Sequence, residues 1–471
     1  EVAQAPVDSR INWLKAIAIG LEREREMLIE LAETETALGI PRLTGELQRT
    51  TSQILLFAEV LADGSFLHTT IDNAQPDATP VSVPEIRTQA YPVGPVAVWA
   101  ASNFPFAFGV IGGDSVSALA AGCPVIVKAH PSQPSLSEAI GKVVTSALSA
   151  VGAPAGYFSL VCGMEAGEIL ISDPHIRAAA FTGSVAGGRA LHDLAAARPE
   201  PIPFYGELGS INPVFVTESA ATERAAEIAA GLTNSATLGT GQFCTKPGLV
   251  FVPRESSIVS QAMELFSDLP KGFLLNRSIW KSFMEKADSY QGLADTKVVG
   301  EQNFSDSETS EFSVAPRLVI TDSETYLANV SKLIDECFGP LTVIVEYAAG
   351  TDLSDLAGSL SGSLTSTIHG SEADADEGAR TRKLIDQLRY RSGRLIWNGW
   401  PTGVAVNWSM QHGGPFPAST ISTTTSVGAN AIQRFLRPVA YQNFPTQLLP
   451  ITLQDGGFSG FSRIDGRAEI R

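Results

Sequence analysis

Apolar positions in this chain follow two rhythms, and the rhythm changes at Tyr91. Before it, Ile11, Leu14, Ile17 and Leu21 recur at helical spacing, with charge crowded opposite in Glu22-Arg-Glu-Arg-Glu26. That pattern predicts amphipathic helices through residues 8–68 with a solvated charged face. Gly39-Ile-Pro41 breaks the first run, and a second long helix follows through Glu46 to Leu61. Residues 73–90 are polar and proline-bearing, and read as a connector or an edge hairpin.

After Tyr91 the pattern becomes short apolar runs separated by helices. Pro92–Ala101 reads as a buried strand, Ser102–Phe106 as a turn, and Gly112–Gly122 as a small-residue helix closed by glycine. Cys123–Lys128 is a second strand. Strand, helix, strand with an apolar run in each strand is a βαβ unit on a parallel sheet. The alternation continues with a helix at 133–150, strand Tyr157–Val161, a helix at 165–172, strand Ala178–Phe181 and a helix opening after Thr182-Gly-Ser184. Ligands of such sheets sit beyond the carboxyl ends of the strands, where Lys128 and Thr182 lie.

A second α/β stretch starts near Glu207. It comprises strand Asn212–Val216, a helix at 222–237, a glycine-flanked loop, and strands at 249–252, Leu341–Val345 and Leu395–Asn398. Residues 270–330 are polar and uninformative, with a helix start near Tyr326. Residues 399–430 read as a Gly/Ser/Thr-rich loop, Ala431–Leu436 as a short helix, and Pro438–Leu449 as an extended tail. The fold class is α/β.

The loop that organises this stretch is Leu238–Val252. Gly239 and Gly241 permit unusual backbone angles and close approach to a ligand, and Pro247-Gly248 fixes the exit. Cys244 therefore stands at the mouth of a buried strand, where a thiolate could meet a carbonyl. Taken alone, such a cysteine is more often a small buried residue.

Composition narrows the partners. The chain has 471 residues, enough for two or three domains, with 44% apolar and 18% charged content typical of globular proteins. A net charge of −17 without a long basic run argues against nucleic acid or an anionic membrane. No apolar run reaches membrane-spanning length, and Glu-Val-Ala-Gln-Ala5 lacks the features of a signal peptide. The four cysteines show no CxxC spacing, so a reducing, cytoplasmic compartment is expected. The six histidines show no HxxxH pairing, and no metal site is expected.

Five separated stretches together resemble the aldehyde dehydrogenase superfamily. They are Ala101-Ser-Asn-Phe-Pro105, Phe181-Thr-Gly-Ser184, Glu207-Leu-Gly209, Gly241-Gln-Phe-Cys-Thr245 and Glu336-Cys-Phe-Gly-Pro340, in the family's order. Lys128-Ala-His-Pro131, Arg198–Pro203, Gly209–Phe215 and Met410–Phe416 are similar to the group acting on α-ketoglutaric semialdehyde (2,5-dioxovalerate). The resemblance implies a Rossmann-type cofactor domain at 1–206 with a return at 412–436, and a catalytic domain at 207–411. An oligomerisation hairpin and tail at 73–93 and 437–471 would build a homodimer or homotetramer.

It also implies chemistry: oxidation of an aldehyde to an acid, with 2,5-dioxovalerate giving 2-oxoglutarate. Cys244 would attack the carbonyl to give a thiohemiacetal, then a thioester. Asn103 and the Cys244 amide would hold the oxyanion. Glu207 would be the general base for hydrolysis, in an apolar setting expected to raise its pKa. Thr182, Gly183 and Ser184 would cradle the pyrophosphate, and Lys128 would contact the adenosine ribose. Ser102, Leu208, Glu336 and Phe338 complete the cofactor side. Relatives that favour NAD carry an acidic residue where this chain has Pro131, which directs the cofactor expectation to NADP, with NAD the alternative. Ser102 replaces a usual aromatic. Arg394 and Lys332 are candidates, by type alone, for a distal carboxylate. His412 is open between a loop histidine with local hydrogen bonds and a neighbour of the cysteine. Other aldehydes, or cofactor-independent ester hydrolysis by Cys244 and Glu207, are the alternative activities.

Overall fold

Among the described residues the strands form four sheets: two largely parallel ones that carry the site, a mixed five-stranded one, and a two-stranded ribbon of Gly272–Phe273 with Ser313–Val314. The computed structural model describes residues 5–300, 311–376, 378–456 and 461–470. The first four residues of the N-terminal pentapeptide, and part of the 270–330 region and of the tail, lie outside these.

The first sheet has strands β1 (Val96–Trp99), β2 (Val125–Lys128), β3 (Phe158–Val161), β4 (Ala178–Thr182) and β5 (Phe204–Glu207), in the order β3-β2-β1-β4-β5. All its pairs are parallel. The chain winds one way from β1 to β3, then crosses to β4 on the other side of β1. That reversal opens a crevice at the carboxyl ends of β1 and β4. Helices cover both faces. Gly113–Ala121 is buried at every residue, and small side chains are what let it pack so closely. Gly122, at φ +95°, ends it. The long helix Ile40–Asp63 begins behind Gly39 with Pro41 in its first turn and buries Leu43, Leu47, Ile54, Phe57 and Leu61.

The second sheet has β6 (Val214–Val216), β7 (Leu249–Pro253), β8 (Lys297–Val299), β9 (Arg317–Asp322), β10 (Leu341–Tyr347), β11 (Ser363–His369) and β12 (Ser392–Trp397). Their order is β8-β9-β10-β7-β6-β11-β12, parallel except for β8. The third sheet joins Thr70–Asp72 and Ile86–Pro92 to Leu436–Gln442, Phe461–Ile464 and Arg467–Ile470, with Leu436–Gln442 on one edge. The α/β class expected from the strand–helix alternation is the one observed. Glu207, read as the opening of the second stretch, instead closes the first sheet as the last residue of β5.

Candidate active site

The loop before Cys244 is held in left-handed backbone. Gly239, Thr240 and Gly241 take φ of +57°, +56° and +65°. The close approach expected at Gly241 is to protein: a Cβ there would lie 2.3 Å from the Gly339 carbonyl. Buried side chains pin the loop from Gln242 onward. Gln242 bonds Gly239 and Phe273 carbonyls and accepts from the Leu275 amide. Buried Asn212 donates to the carbonyls of Cys244 (2.8 Å) and Lys246 (2.9 Å). Lys246 is itself buried and donates to the Cys337 carbonyl at 3.0 Å. The result is a rigid loop with Cys244 only partly exposed.

The Cys244 sulfur lies 3.5 Å from His412 Nε2, and the same nitrogen lies 2.9 Å from Glu207 Oε1. Ser426 Oγ donates to the other Glu207 oxygen. Three residues from β5, the Cys244 loop and the 412–426 return thus meet, with one ligand-type atom of each within 4.8 Å of the others. Glu207 and His412 are both buried. Burial pushes the Cys244 thiol well above its ordinary range; the Glu207 and Glu336 carboxylates add to this and Arg394 opposes it.

Glu207 departs from expectation. Burial would raise its pKa, but His412 and the bonds from His412, Ser426 and Cys244 outweigh burial and hold it below the usual carboxylate range. The raised carboxyl of the site is Glu336, lifted by burial against the pull of Lys246. Its Oε2 would be 3.0 Å from a Cβ at Gly209, so it packs against the Leu208-Gly209 turn that follows Glu207.

Asn103 follows β1, and its Nδ2 donates to the Gln242 carbonyl at 3.1 Å, two residues before Cys244. One of its two amide hydrogens remains for another acceptor. Arg42 donates to the Asn103 carbonyl at 2.6 Å and sits between the Phe104 and Phe243 rings. Ser102 is buried, its carbonyl accepting from Gln133. Arg394 is a neighbour of the site through the 401–403 loop, whereas Lys332 is exposed on the short helix Val330–Leu333.

The expected cofactor side lies along the same carboxyl edge. Thr182 pairs in register with Glu207, and the Gly183 amide donates to the Glu207 carbonyl at 3.0 Å. Ser184 caps the helix Val185–Ala196 by accepting from the Gly187 amide. Leu208 is buried against this helix, since a Cβ at Gly188 would fall 2.1 Å from it. Lys128 ends β2, buried, with its ammonium 3.7 Å from the Met164 sulfur. Burial lowers its pKa, and among the described residues no carboxylate pairs with it. A buried cation and a capped helix N-terminus on one sheet edge suit a phosphate-bearing dinucleotide. Phe338 is half-buried beside Glu336.

Of the residues read from sequence, Cys244, Glu207, Asn103 and Glu336 converge, and Thr182–Ser184 adjoin them through β4 and β5. Lys128 sits further along the edge. Sequence reasoning left His412 open and missed Ser426, Arg42 and Arg49. A histidine between Gln411 and Gly413-Gly414 carried a weak signal; Ser426, one of many hydroxyls in its loop, carried none.

The chain matches the family described as "Aldehyde dehydrogenase family" over residues 1–438. It is 42% identical over 474 residues to alpha-ketoglutaric semialdehyde dehydrogenase 2 of Azospirillum brasilense, covering 98% of this chain and 88% of that protein. It is 39% identical over 455 residues to alpha-ketoglutaric semialdehyde dehydrogenase of Acinetobacter baylyi, covering 95% and 84%. Among solved structures, gamma-glutamyl-gamma-aminobutyraldehyde dehydrogenase from Burkholderia cenocepacia superposes with a TM-score of 0.78 at 19% identity, covering 93% of this chain and 85% of that one.

Proposed function

The chain belongs to the aldehyde dehydrogenase family, and from that premise we propose that it oxidises 2,5-dioxovalerate to 2-oxoglutarate, with NADP as preferred cofactor. The observation that carries the chemistry is the contact series Cys244 Sγ, His412 Nε2, Glu207 Oε1, at 3.5 and 2.9 Å.

Cys244 forms the bond to the aldehyde carbon, and its proton passes to the Glu207 carboxylate beside it. Charge then develops on the carbonyl oxygen, where the Asn103 amide and the Cys244 N–H donate. A bound nicotinamide dinucleotide contributes acceptance of a hydride. The thioester left on Cys244 needs water, and Glu207, once it has released the first proton to solvent, takes the proton from that water. His412 Nε2 meets both Glu207 and Cys244, and one nitrogen cannot donate to the carboxylate and accept a proton at once, so Glu207 is the proton acceptor and His412 holds it in place.

Lys128, Thr182, Gly183 and Ser184 would hold the phosphate and ribose end, with Ser102, Leu208, Glu336 and Phe338 toward the nicotinamide end. The preference for NADP rests on Lys128 lacking a carboxylate and on Pro131 standing where an acid would repel a 2′-phosphate. The third sheet leaves an exposed edge strand, Leu436–Gln442, which supports assembly into a homodimer or a dimer of dimers. Among the described residues no helix is long and apolar enough to cross a membrane, and a cytoplasmic setting is part of this reading.

The test is steady-state reduction of NADP and NAD with 2,5-dioxovalerate and with pentanal. Preference for the dioxo acid and for NADP is expected. Preference for pentanal overturns the substrate, and preference for NAD overturns the Pro131 argument. The Cys244–His412–Glu207 series also favours a second reading, ester hydrolysis without a dinucleotide. Turnover of 4-nitrophenyl acetate with no aldehyde-dependent reduction of either cofactor would select it.

A further inference from the structure

Two arginines from opposite sides of the cleft close on the same short loop beside Cys244. Arg49, on the helix Ile40–Asp63, donates from Nε to the Val404 carbonyl at 3.3 Å and from Nη1 to Gln53 at 3.5 Å. Arg394, on β12, donates to the carbonyls of Pro401 (2.9 Å) and Gly403 (3.3 Å). The loop they share is tied to the nucleophile's neighbour, because the Gly403 amide donates to Thr245 Oγ1 at 3.3 Å. Arg49 also lies over the Phe108 ring at 5.7 Å, and that ring is 6.3 Å from the His412 ring.

Both guanidiniums are half-buried, and among the described residues both bond only neutral groups. Arg394 Nε is buried with no partner at all. A chain of net charge −17 has carboxylates to spare, yet among the described residues none hydrogen-bonds these two cations, and Glu46 and Glu207 act on Arg49 only at longer range. Partly desolvated cations without a counter-charge are costly, and are tolerated where a ligand supplies the anion. Burial lowers both pKa values, while the Glu46 carboxylate near Arg49 and the Cys244 sulfur near both act in the opposite sense. Arg42 also leaves Nε and Nη1 buried without partners, but it packs on the Asn103 carbonyl between the Phe104 and Phe243 rings, and among the described residues it makes no hydrogen bond to the 401–404 loop.

We propose that Arg49 and Arg394 form the subsite for the 2-oxo-carboxylate end of the substrate, gripping it from the two sides of the 401–404 loop while its aldehyde meets Cys244. The subsite selects an aldehyde carrying a carboxylate at the far end of a short chain. Planar guanidinium forks suit a carboxylate with an adjacent carbonyl oxygen, since each can make two parallel hydrogen bonds. This inference rests on the substrate reading above.

The experiment measures kcat/KM for 2,5-dioxovalerate and for pentanal in the wild type, Arg394→Met, Arg49→Met, and the two lysine replacements. The expected result is a fall of about 30-fold or more in the dioxovalerate-to-pentanal ratio in each Met variant, carried mainly by KM. The lysine variants keep a charge and lose the fork, and should fall between. An unchanged ratio in the variants, with the wild type still preferring dioxovalerate, overturns the arginine subsite and leaves the substrate reading standing. A wild type that prefers pentanal overturns the substrate reading itself. Should a Met variant fail to fold, its lysine counterpart decides: wild-type KM for dioxovalerate in both lysine variants overturns the subsite.

Discussion

Glu207 and His412, 205 positions apart in sequence, meet at 2.9 Å with both side chains buried. The contact joins the end of β5 to the return of the chain after the second sheet. It also shapes the electrostatics around Cys244, because burial and the Glu207 carboxylate raise that thiol while His412 depresses Glu207.

That sign is testable by alkylation. A thiol held above its ordinary pKa is mostly protonated at neutral pH, and its thiolate fraction rises about tenfold per pH unit below the pKa. Alkylation at Cys244 by iodoacetamide, followed on the Cys244 peptide because Cys162 is also an exposed thiol, should therefore be slower at pH 7 than that of a free cysteine, and should climb through pH 9. Glu207→Gln removes a repelling charge and should accelerate alkylation while abolishing steady-state turnover. Slower alkylation in that variant would contradict the assigned electrostatics. Cys244→Ala should lose both signals.

Asn103→Ala tests oxyanion stabilisation. Loss of one donor of this kind costs about 2.7–4 kcal/mol in the barrier, or about 10²–10³ in kcat. Since Asn103 is assigned no contact with the substrate's far end, KM should change little. A rise in KM at unchanged kcat would make Asn103 a binding residue instead.

Ser426→Ala removes one bond that stabilises ionised Glu207. A carboxylate whose folded pKa is depressed contributes stability above its unfolded pKa, and loses it as pH falls through the folded value. Removing the Ser426 bond raises the folded value, so the acid limb of kcat should move to higher pH. Stability should fall by about 0.5–1.5 kcal/mol at neutral pH, with a smaller difference under acid. Thermal melts between pH 4 and 8, alongside the pH–rate profile, provide the check.

Much of this was legible in the sequence. Apolar runs such as Val125–Lys128 and Leu249–Pro253, bounded by glycine and proline, announced both sheets. β11 was missed because Ser363-Leu-Thr-Ser-Thr-Ile-His369 is rich in hydroxyls, yet every residue in it is buried. The Leu364 amide and the Thr365 and Ser366 hydroxyls find Ser210, Asn212 and Ser392, partners no local pattern shows, while Ser363 Oγ, Thr367 Oγ1 and both His369 ring nitrogens are buried with no partner among the described residues. Glu207 was read as lying in an apolar setting from its neighbours Gly206 and Leu208. The groups that set its pKa, His412 and Ser426, arrive from more than 200 positions away. Arg394 was a candidate by type alone, whereas Arg49, on a helix far from it in sequence, was not.

Two glycine-to-alanine replacements should act with opposite sign. Gly241 has φ +65°, and a Cβ there would lie 2.3 Å from the Gly339 carbonyl oxygen, which is backbone and cannot swing away. The left-handed conformation alone costs an L-residue about 1–2 kcal/mol. Gly241→Ala should thus lower the melting temperature and displace the Cys244 loop. Gly45 lies within the helix Ile40–Asp63 with open space where a Cβ would go. Gly45→Ala should stabilise by about 0.5–1 kcal/mol. Equal effects of the two changes would refute the geometry assigned to the loop.

Thiophilic metal ions should compete for the nucleophile. Cys244, His412 and Glu207 each present one ligand atom, all within 4.8 Å of one another. Zinc takes sulfur, imidazole nitrogen and carboxylate oxygen at about 2.0–2.3 Å in tetrahedral geometry, which places neighbouring ligand atoms roughly as far apart as Cys244 Sγ and His412 Nε2. Binding requires deprotonation of the thiol, which the metal charge offsets. Added zinc should inhibit the purified enzyme reversibly, with activity restored by EDTA, and should slow alkylation of Cys244 by iodoacetamide. Inhibition should weaken as pH falls, because protons compete for the same three atoms. His412→Ala removes one ligand and should raise the zinc concentration needed to protect Cys244 from alkylation. Protection that is indifferent to His412 would place the ion elsewhere on the protein.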